Sequence, residues 1–279
     1  MKQSVFVVPA VVEVATRRGL FDACDVEVDT LMVRSSHEQR AQLDDGTATV
    51  AITASDNLFV WNADGSDILL IGQIETTTDL SLMMRPGVPS LHDARPLRLA
   101  VDAPTNGFAI VAYAMLSASQ VIREDYEIVE IGGVRERFEA LSNGRADTTL
   151  LAPPLDEVGR VQGMSVAMTI GELTPSYPGL GIVSGRRTTG EQADEIERYL
   201  RALTMANIWM REANPSEVEE LLGAAGMGPA AVGSAIANAP EDLSPHPDGL
   251  RTLAALRESV GMSVEAAPDV GAMLGMCGR

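Results

Sequence analysis

The sequence predicts an α/β fold of two lobes, with mostly parallel sheets and a helical C-terminal extension packed on lobe one. Short apolar runs typical of buried strands alternate with segments of helical apolar spacing through residues 5–84. Such alternation is the pattern of a largely parallel sheet covered by helices. The same alternation starts again at residue 97. From Thr188 onward the chain carries helical patterns alone.

The first series predicts five strands separated by helices or turns. They fall at residues 5–8, 26–29, 49–52, 67–73 and 80–84. Pro9 follows the first strand, at a position where proline is tolerated as the first residue of a helix. Ser35 and Glu38 have the three-residue spacing of a capping box and predict a helix that ends at Gly46. Residues 54–57 supply turn and N-cap chemistry for another helix.

The second series opens with residues 98–113, which read as a strand, a polar turn and a helix. The first amides of a helix have no intrahelical partner and point at whatever lies in front of them. The turn at 105–108 therefore predicts half of a ligand site, and we expect the turn at 53–57 to face it across a cleft. Further strands are predicted at 126–131 and 147–151.

Two crossings divide the chain into the expected lobes. They lie near Arg85-Pro86-Gly87 and Gly179-Leu180-Gly181. Lobe one comprises residues 1–85 and 180–279, and lobe two comprises residues 86–179. Helices predicted at 188–212, from 215, at 226–238 and at 248–260 brace the first lobe.

Composition excludes several classes of protein. The 279 residues carry a formal net charge of -18, which disfavours nucleic acid because phosphate binding requires clustered Lys and Arg. No apolar run approaches the ~18 residues of a transmembrane segment. Pro9 and Glu13 interrupt any targeting signal, so either the protein is cytoplasmic or an export signal has been removed. The sequence contains two cysteines, Cys24 and Cys277, and does not decide whether they form a long-range disulfide.

Several stretches together resemble a known family. Pro9-Ala10-Val11 with Arg18-Gly19-Leu20-Phe21 is similar to the opening of the periplasmic-binding-protein-like (type II) family of nitrate, sulfonate and thiamine-pyrimidine ABC-transporter substrate-binding proteins. Residues 42–53 resemble its Leu-x-x-Gly-x-x-Asp-Val-Ala segment, with Thr49 where Asp is usual, and residues 139–147 repeat the segment. The resemblance covers nearly the whole chain, through the helices at 209–215 and 249–261. It implies two lobes that hold a ligand between them.

If the resemblance holds, ligand contacts come from the turns that face the cleft. The candidate ligand-binding residues are Pro9, Ser36, His37, Thr53, Ser55, Asp56, Asn57, Thr77, Thr105, Asn106, Gly107, Phe108, Pro153, Ser176 and Tyr177. Hydroxyls and helix-start amides suit a neutral polar or anionic group. Against this, Ser55 and Thr105 have the alternative role of helix caps, and a core role for Phe108 and Trp61 competes with stacking on a ligand.

Cofactor and metal motifs are missing from the sequence. It contains no HExxH, no histidine cluster, no P-loop and no GxGxxG, so we predict no metal and no cofactor. Among the histidines, His37 is the strongest candidate for a site residue because it follows a strand. The alternative is that His37 lies on the surface and has no role in a site. Asp56 and Asp102 form a candidate carboxylate pair across the cleft.

The leading hypothesis is an ABC-uptake-type solute-binding protein that closes two lobes over a small polar or anionic organic ligand, with an ABC permease as the candidate partner. The alternative is a cytoplasmic enzyme on the same fold, with His37 and Asp56 as acid and base for decarboxylation or hydrolysis of a small carboxylate or heteroaromatic substrate. A ligand sensor without a transporter is a third hypothesis, because fold does not determine function.

Overall fold

The computed structural model describes residues 1–94, 96–245 and 247–263. Its strands are β1 (Lys2–Val5), β2 (Asp29–Met32), β3 (Val50–Ala54), β4 (Ile68–Gln73), β5 (Ser81–Met84), β6 (Leu97–Val101), β7 (Tyr126–Glu130), β8 (Thr148–Leu151), β9 (Ser165–Thr169) and β10 (Leu180–Gly185). Its helices are α1 (Ala10–Arg17), α2 (Leu20–Ala23), α3 (Ser36–Asp44), α4 (Asn57–Ala63), α5 (Gly107–Ala118), α6 (Val134–Ser142), α7 (Leu155–Val161), α8 (Ile170–Leu173), α9 (Arg186–Glu191), α10 (Ala193–Glu212), α11 (Pro215–Gly223), α12 (Pro229–Ala237) and α13 (Pro247–Ser259).

Two mixed five-stranded sheets form the centre of the fold, with strand orders β2-β1-β3-β10-β4 and β7-β6-β8-β5-β9. In the first sheet, β10 is antiparallel to both of its neighbours, and the remaining described pairs are parallel. In the second sheet, β5 is antiparallel to both of its neighbours, β8 and β9, and the remaining described pairs are parallel. Each sheet therefore contains one antiparallel strand, and that strand is the one that the chain enters after crossing from the other sheet.

The first crossing differs from the sequence expectation in one respect. The expected boundary at residue 85 places Ser81–Met84 with the first lobe, whereas this strand pairs with β8 and β9 of the second sheet. Leu82 and Met83 are fully buried there. A short strand in which three of four residues are apolar carries no information about which sheet it joins, so the sequence could not place this strand.

Local sequence explains where the helices that flank the cleft begin. The Ser35 hydroxyl accepts a hydrogen bond from the Glu38 N–H, and this confirms the predicted cap of α3. Asn106 caps α5 by accepting from the Ala109 N–H at 2.9 Å, so the cap is Asn106 and not Thr105. Ser55 does not cap α4, whose N-cap residue is Asp56.

The C-terminal helices cover two different parts of the fold. The predicted helix at 188–212 is divided into α9 and α10, and α10 packs against α1 and α2 beside the first sheet. Helices α11 and α12 also pack against α1. Helix α13 instead packs against α5, and its Leu250 and Leu253 join the apolar core around that helix. One C-terminal helix thus contacts the element that carries the predicted second half of the site.

In the described residues, no helix combines the length and apolar character needed to cross a membrane. Cys24 is buried in the core beside the first sheet, and the proposed pairing with Cys277 lies outside the described residues.

Candidate functional site

A cavity of about 160 Å³ lies between the two sheets and is lined from both halves of the chain. Six of the predicted site residues line it: Pro9, Thr53, Asn57, Asn106, Phe108 and Pro153. They come from the ends of strands β1, β3, β6 and β8 and from the turns or helix starts that follow. The placement agrees with the principle that ligand sites in α/β proteins lie beyond the carboxyl ends of parallel strands.

Hydrogen bonds join the two halves around this cavity. The Asn57 side chain accepts from the Gly107 N–H at 3.2 Å and donates to Thr53 Oγ1 at 3.0 Å. Ser36 donates its backbone N–H to Asp102 Oδ2 at 2.9 Å. The Gly133 N–H donates to the carbonyl of Arg34 at 2.6 Å. These contacts confirm that the turn at 53–57 faces the turn at 105–108.

The wall formed by the second sheet carries a buried carboxylate and a buried guanidinium. Asp102 is 6% exposed, accepts from Asn106 Nδ2 at 3.1 Å, and keeps its Oδ1 without a hydrogen-bond partner. Arg137 is 4% exposed and donates to the carbonyl of Gly132 at 3.0 Å. Burial lowers the pKa of Arg137 to about 10, and the negative charge of Asp102 opposes this shift.

The wall formed by the first sheet is acidic. Glu75 Oε2 accepts from Thr78 Oγ1 at 2.6 Å. Burial raises the pKa of Glu75 to about 7, Thr78 opposes the shift, and Asp79 adds to it. Asp79 accepts from the side chains of Ser234 and Asn238, so α12 fixes its position. Glu75, Asp79 and Asp102 give the cavity three carboxyl groups against the single guanidinium of Arg137.

Nine predicted residues lie away from the cavity lining: Ser36, His37, Ser55, Asp56, Thr77, Thr105, Gly107, Ser176 and Tyr177. His37 is exposed on α3. Ser176 is exposed, and its hydroxyl donates to the Thr76 carbonyl. Tyr177 is 1% exposed and belongs to the core, as does Trp61. Of Phe108, Trp61 and Tyr177, Phe108 alone lines the cavity.

Asp56 has a structural partner instead of a place in the cavity. Both of its carboxylate oxygens accept from Arg257 of α13, and Arg257 also donates to the Thr105 carbonyl at 2.7 Å. The two charged side chains are each 2% exposed. Burial raises the pKa of Asp56, and the Arg257 guanidinium opposes this. Of the two candidate acid–base residues, Asp56 is thus held by Arg257, while His37 is exposed on α3.

Sequence reasoning missed several lining residues. Phe6, Val7 and Val8 read as part of a strand, yet β1 ends at Val5 and these residues form the cavity wall. Glu75 and Asp79 lie two residues before and two residues after the candidate residue Thr77 and were identifiable from it. Arg137 lies in an amphipathic helix, where its spacing resembles that of a surface residue.

Among the described residues, no three His, Cys, Asp or Glu side chains converge as metal ligands. The acidic lining of the cavity suits hydrogen-bond donors or an organic cation.

The two-sheet architecture and the cavity between the sheets define a two-lobed α/β protein of the periplasmic-binding-protein fold, type II. Solved structures agree. The chain is similar to the periplasmic nitrate-binding protein NrtA of Synechocystis PCC 6803, with 12% identity, TM-score 0.79 and coverage of 98% of this chain and 84% of that one. It is also similar to the alkanesulfonate-binding protein SsuA of Xanthomonas axonopodis pv. citri, with 17% identity, TM-score 0.73 and coverage of 96% and 94%.

A third similar structure is the ligand-binding component of an ABC-type import system from Staphylococcus aureus, solved with zinc bound. It has 12% identity, TM-score 0.79 and coverage of 98% of this chain and 94% of that one. The chain belongs to the NMT1/THI5-like family, whose model matches residues 9–218. No curated protein matches the sequence.

Proposed function

We propose that this protein is a solute-binding protein that holds a small organic ligand in the cavity between its two sheets. The observation that carries the proposal is that one cavity draws its lining from both halves: Asn57 and Glu75 come from the first, and Asn106, Phe108 and Arg137 from the second. A ligand enclosed in this way contacts both halves at once and stabilises their association.

The residues that line the cavity indicate the size and the polarity of the ligand. Phe6, Val8 and Phe108 provide apolar surface, and the polar groups are few, as in most small-molecule sites. A volume of about 160 Å³ is close to the ~150 Å³ of an engineered cavity that binds benzene, so the ligand is small. Of the two predicted ligand types, polar and anionic, the three carboxyl groups favour the polar one.

The similar structures support uptake as the role of binding. The three structures compared above bear names of binding components, two of them for nitrate and alkanesulfonate and one for an ABC-type import system. We extend the proposal to an ABC permease as the partner. We also retain the division into two lobes as a proposal, with the second lobe beginning before β5 instead of at residue 86 and still ending at residue 179.

Native mass spectrometry of the purified protein tests the proposal directly. We expect a co-purifying small molecule that dissociates on denaturation, and ligand addition to the stripped protein should raise its melting temperature. Phe108→Ala should weaken binding by about tenfold because it removes apolar contact area. His37→Ala is the matched control, since His37 is exposed outside the cavity. Failure of any compound from a metabolite extract to bind would contradict the proposal.

A further inference from the structure

The charge of the cavity is not balanced by the protein. Within the described residues, no Lys, Arg or His side chain forms an ion pair with Glu75 or Asp79. Arg160, on α7, pairs with Asp156 at 3.3 Å instead. Asp79 is exposed, but Glu75 is partly buried. A carboxylate without a counter-charge in such a place is costly, and a ligand of opposite charge removes that cost.

Arg137 does not neutralise this acidic wall. Its guanidinium donates to the carbonyls of Gly132 and Leu150, and the carboxylate whose charge acts most strongly on it is Asp102. The positive charge therefore belongs to the wall of the second sheet, together with Asp102. Glu75 and Asp79 remain on the opposite wall without a cationic partner.

A third carboxylate lies on the opposite wall. Asp102 Oδ1 is enclosed by the protein and has no hydrogen-bond partner, and Oδ2 of the same carboxylate accepts two hydrogen bonds. Asp102 lines the cavity together with Glu75 and Asp79. Its negative charge therefore adds to theirs in favouring a cation over an anion.

We propose that the ligand is an organic cation, of the amine, amidine or guanidine class, whose positive group binds Glu75 and Asp79, while the negative charge of Asp102 on the opposite wall adds to the attraction. This inference rests on the proposed function and narrows it to one class of ligand. The apolar body of the ligand packs on Phe108 and Val8. Burial is the main cause of the raised pKa of Glu75, and a cation beside the carboxyl group lowers such a pKa.

The surroundings of Glu75 determine how binding depends on pH. Asp79 lies on its own segment, and Asp156 is close enough to Asp79 for their charges to interact. Ser234 of α12 and Asn238, the residue that follows this helix, are uncharged, and the opposite wall contributes Asp102 and Arg137. A cation requires ionised Glu75, so its affinity should rise with pH up to about 7 and then level off.

Three probes of matched shape test the assignment: benzamidine, benzamide and benzoate, which differ in charge. Titration calorimetry at pH 8 should show benzamidine binding at least about tenfold more tightly than benzamide, with benzoate weakest. Glu75→Gln keeps an acceptor for Thr78 and should abolish the preference for benzamidine. Glu197→Gln makes the same chemical change at an exposed position of α10 and should leave the preference intact.

The outcomes separate this inference from the function on which it rests. Tighter binding of benzoate, or a co-purifying acid without a basic nitrogen, overturns the cation assignment and leaves solute binding standing. A preference for benzamidine that survives Glu75→Gln also overturns it. If none of the three probes binds, the co-purified molecule tests the assignment: a molecule with a basic nitrogen supports an organic cation, and one without it overturns the assignment. Absence of any bound molecule overturns both proposals.

Discussion

The side-chain oxygen of Asn57 accepts a hydrogen bond from the backbone N–H of Gly107 at 3.2 Å, across the cleft between the two sheets. Asn57 begins α4 after a strand of the first sheet, and Gly107 begins α5 after a strand of the second. The first turns of two helices thus meet, and an orphan amide of one is satisfied by a side chain of the other. This close approach is one of the contacts that join the two halves, beside the hydrogen bonds of Ser36 with Asp102 and of Gly133 with Arg34.

Gly107→Ala should separate the two helix starts. A Cβ atom at this position would lie 2.6 Å from Asp56 Cβ, and neither atom is the mobile end of a side chain. We expect ligand affinity to fall by about tenfold or more because the halves can no longer close fully. Titration calorimetry measures this loss, and small-angle scattering should show an increased radius of gyration.

Gly190→Ala is the matched control for that substitution. Gly190 is also helical, in α9, and an added Cβ would meet no atom within 4 Å. Helix propensity predicts unchanged or slightly increased stability, by up to about 1 kcal/mol. Equal affinities of the two variants for ligand would refute the importance of the contact between Asp56 and Gly107.

Arg257→Met should destabilise the protein strongly. The substitution leaves Asp56 buried without its charged partner, and breaking such a pair typically costs about 3–5 kcal/mol. Arg257 also donates to the Thr105 carbonyl, so the loss affects the contact between α13 and both halves. Urea denaturation at pH 7 measures the free energy of unfolding.

The double variant Asp56→Leu/Arg257→Met separates charge burial from packing. It removes both charges, and such replacements are often neutral or stabilising. We expect it to recover most of the stability lost in Arg257→Met. A double variant no more stable than the single one would show that the ion pair is not the source of the effect.

Stability should fall as pH rises from about 4.5 to about 7, because of Glu75. Its folded pKa of about 7 exceeds its usual value of 4.5, so the folded state binds the proton more tightly than the unfolded state in this window. The contribution of Glu75 to folding stability is fully present below its unfolded pKa and is lost as the pH rises through its folded pKa. It amounts to at most about 3 kcal/mol.

Thermal unfolding from pH 4 to pH 8 in Glu75→Gln checks this dependence. The variant lacks the titrating group and should show a flatter curve, and above pH 7 it should be at least as stable as the parent protein. A parallel fall in both proteins across that window would assign the pH dependence to other groups.

The fold was predictable because its signals are local. Alternation of apolar runs with helical spacing appears twice, and each series forms one of the two sheets apart from the crossing strands β5 and β10. The opposition of residues 53–57 and 105–108 was predictable as well, because parallel strands place the turns that follow them at one edge.

The site was only partly predictable because much of its lining depends on long-range packing. Arg137 is fixed by the carbonyls of Gly132 and Leu150, and Ser234 reaches Asp79 from 155 residues away. No pattern in the local sequence predicts either contact. The partnership of Asp56 with Arg257 is likewise invisible in the sequence, so Asp56 resembled a ligand-binding residue.

One departure from the family pattern has a structural explanation. Asp147 and Thr49 occupy equivalent positions: the N–H of Asp147 donates to the Arg98 carbonyl, and that of Thr49 donates to the Lys2 carbonyl, each at 2.9 Å. Each side chain accepts a bond in return, Asp147 Oδ2 from the Arg98 N–H at 2.9 Å and Thr49 Oγ1 from the Lys2 N–H at 3.4 Å. Asp147 additionally binds the guanidinium groups of Arg98 and Arg85.

Asp147→Asn should therefore cost more stability than Thr49→Val. Burial favours a raised pKa for Asp147, but the bonds from Arg98 and Arg85 outweigh it and hold the pKa well below 3.8. The stabilisation is present above pH 3.8 and is lost as pH falls through the folded pKa. Because the arginines are partly exposed, we expect a loss of about 2 kcal/mol at pH 7.

Thr49→Val loses one long hydrogen bond and should cost about 1 kcal/mol or less. Urea denaturation of both variants at pH 7 and pH 3 compares them, and the cost of Asp147→Asn should shrink at the lower pH while that of Thr49→Val stays constant. Equal losses at pH 7 would mean that the backbone contact, and not the arginine pair, is what the aspartate provides at this position.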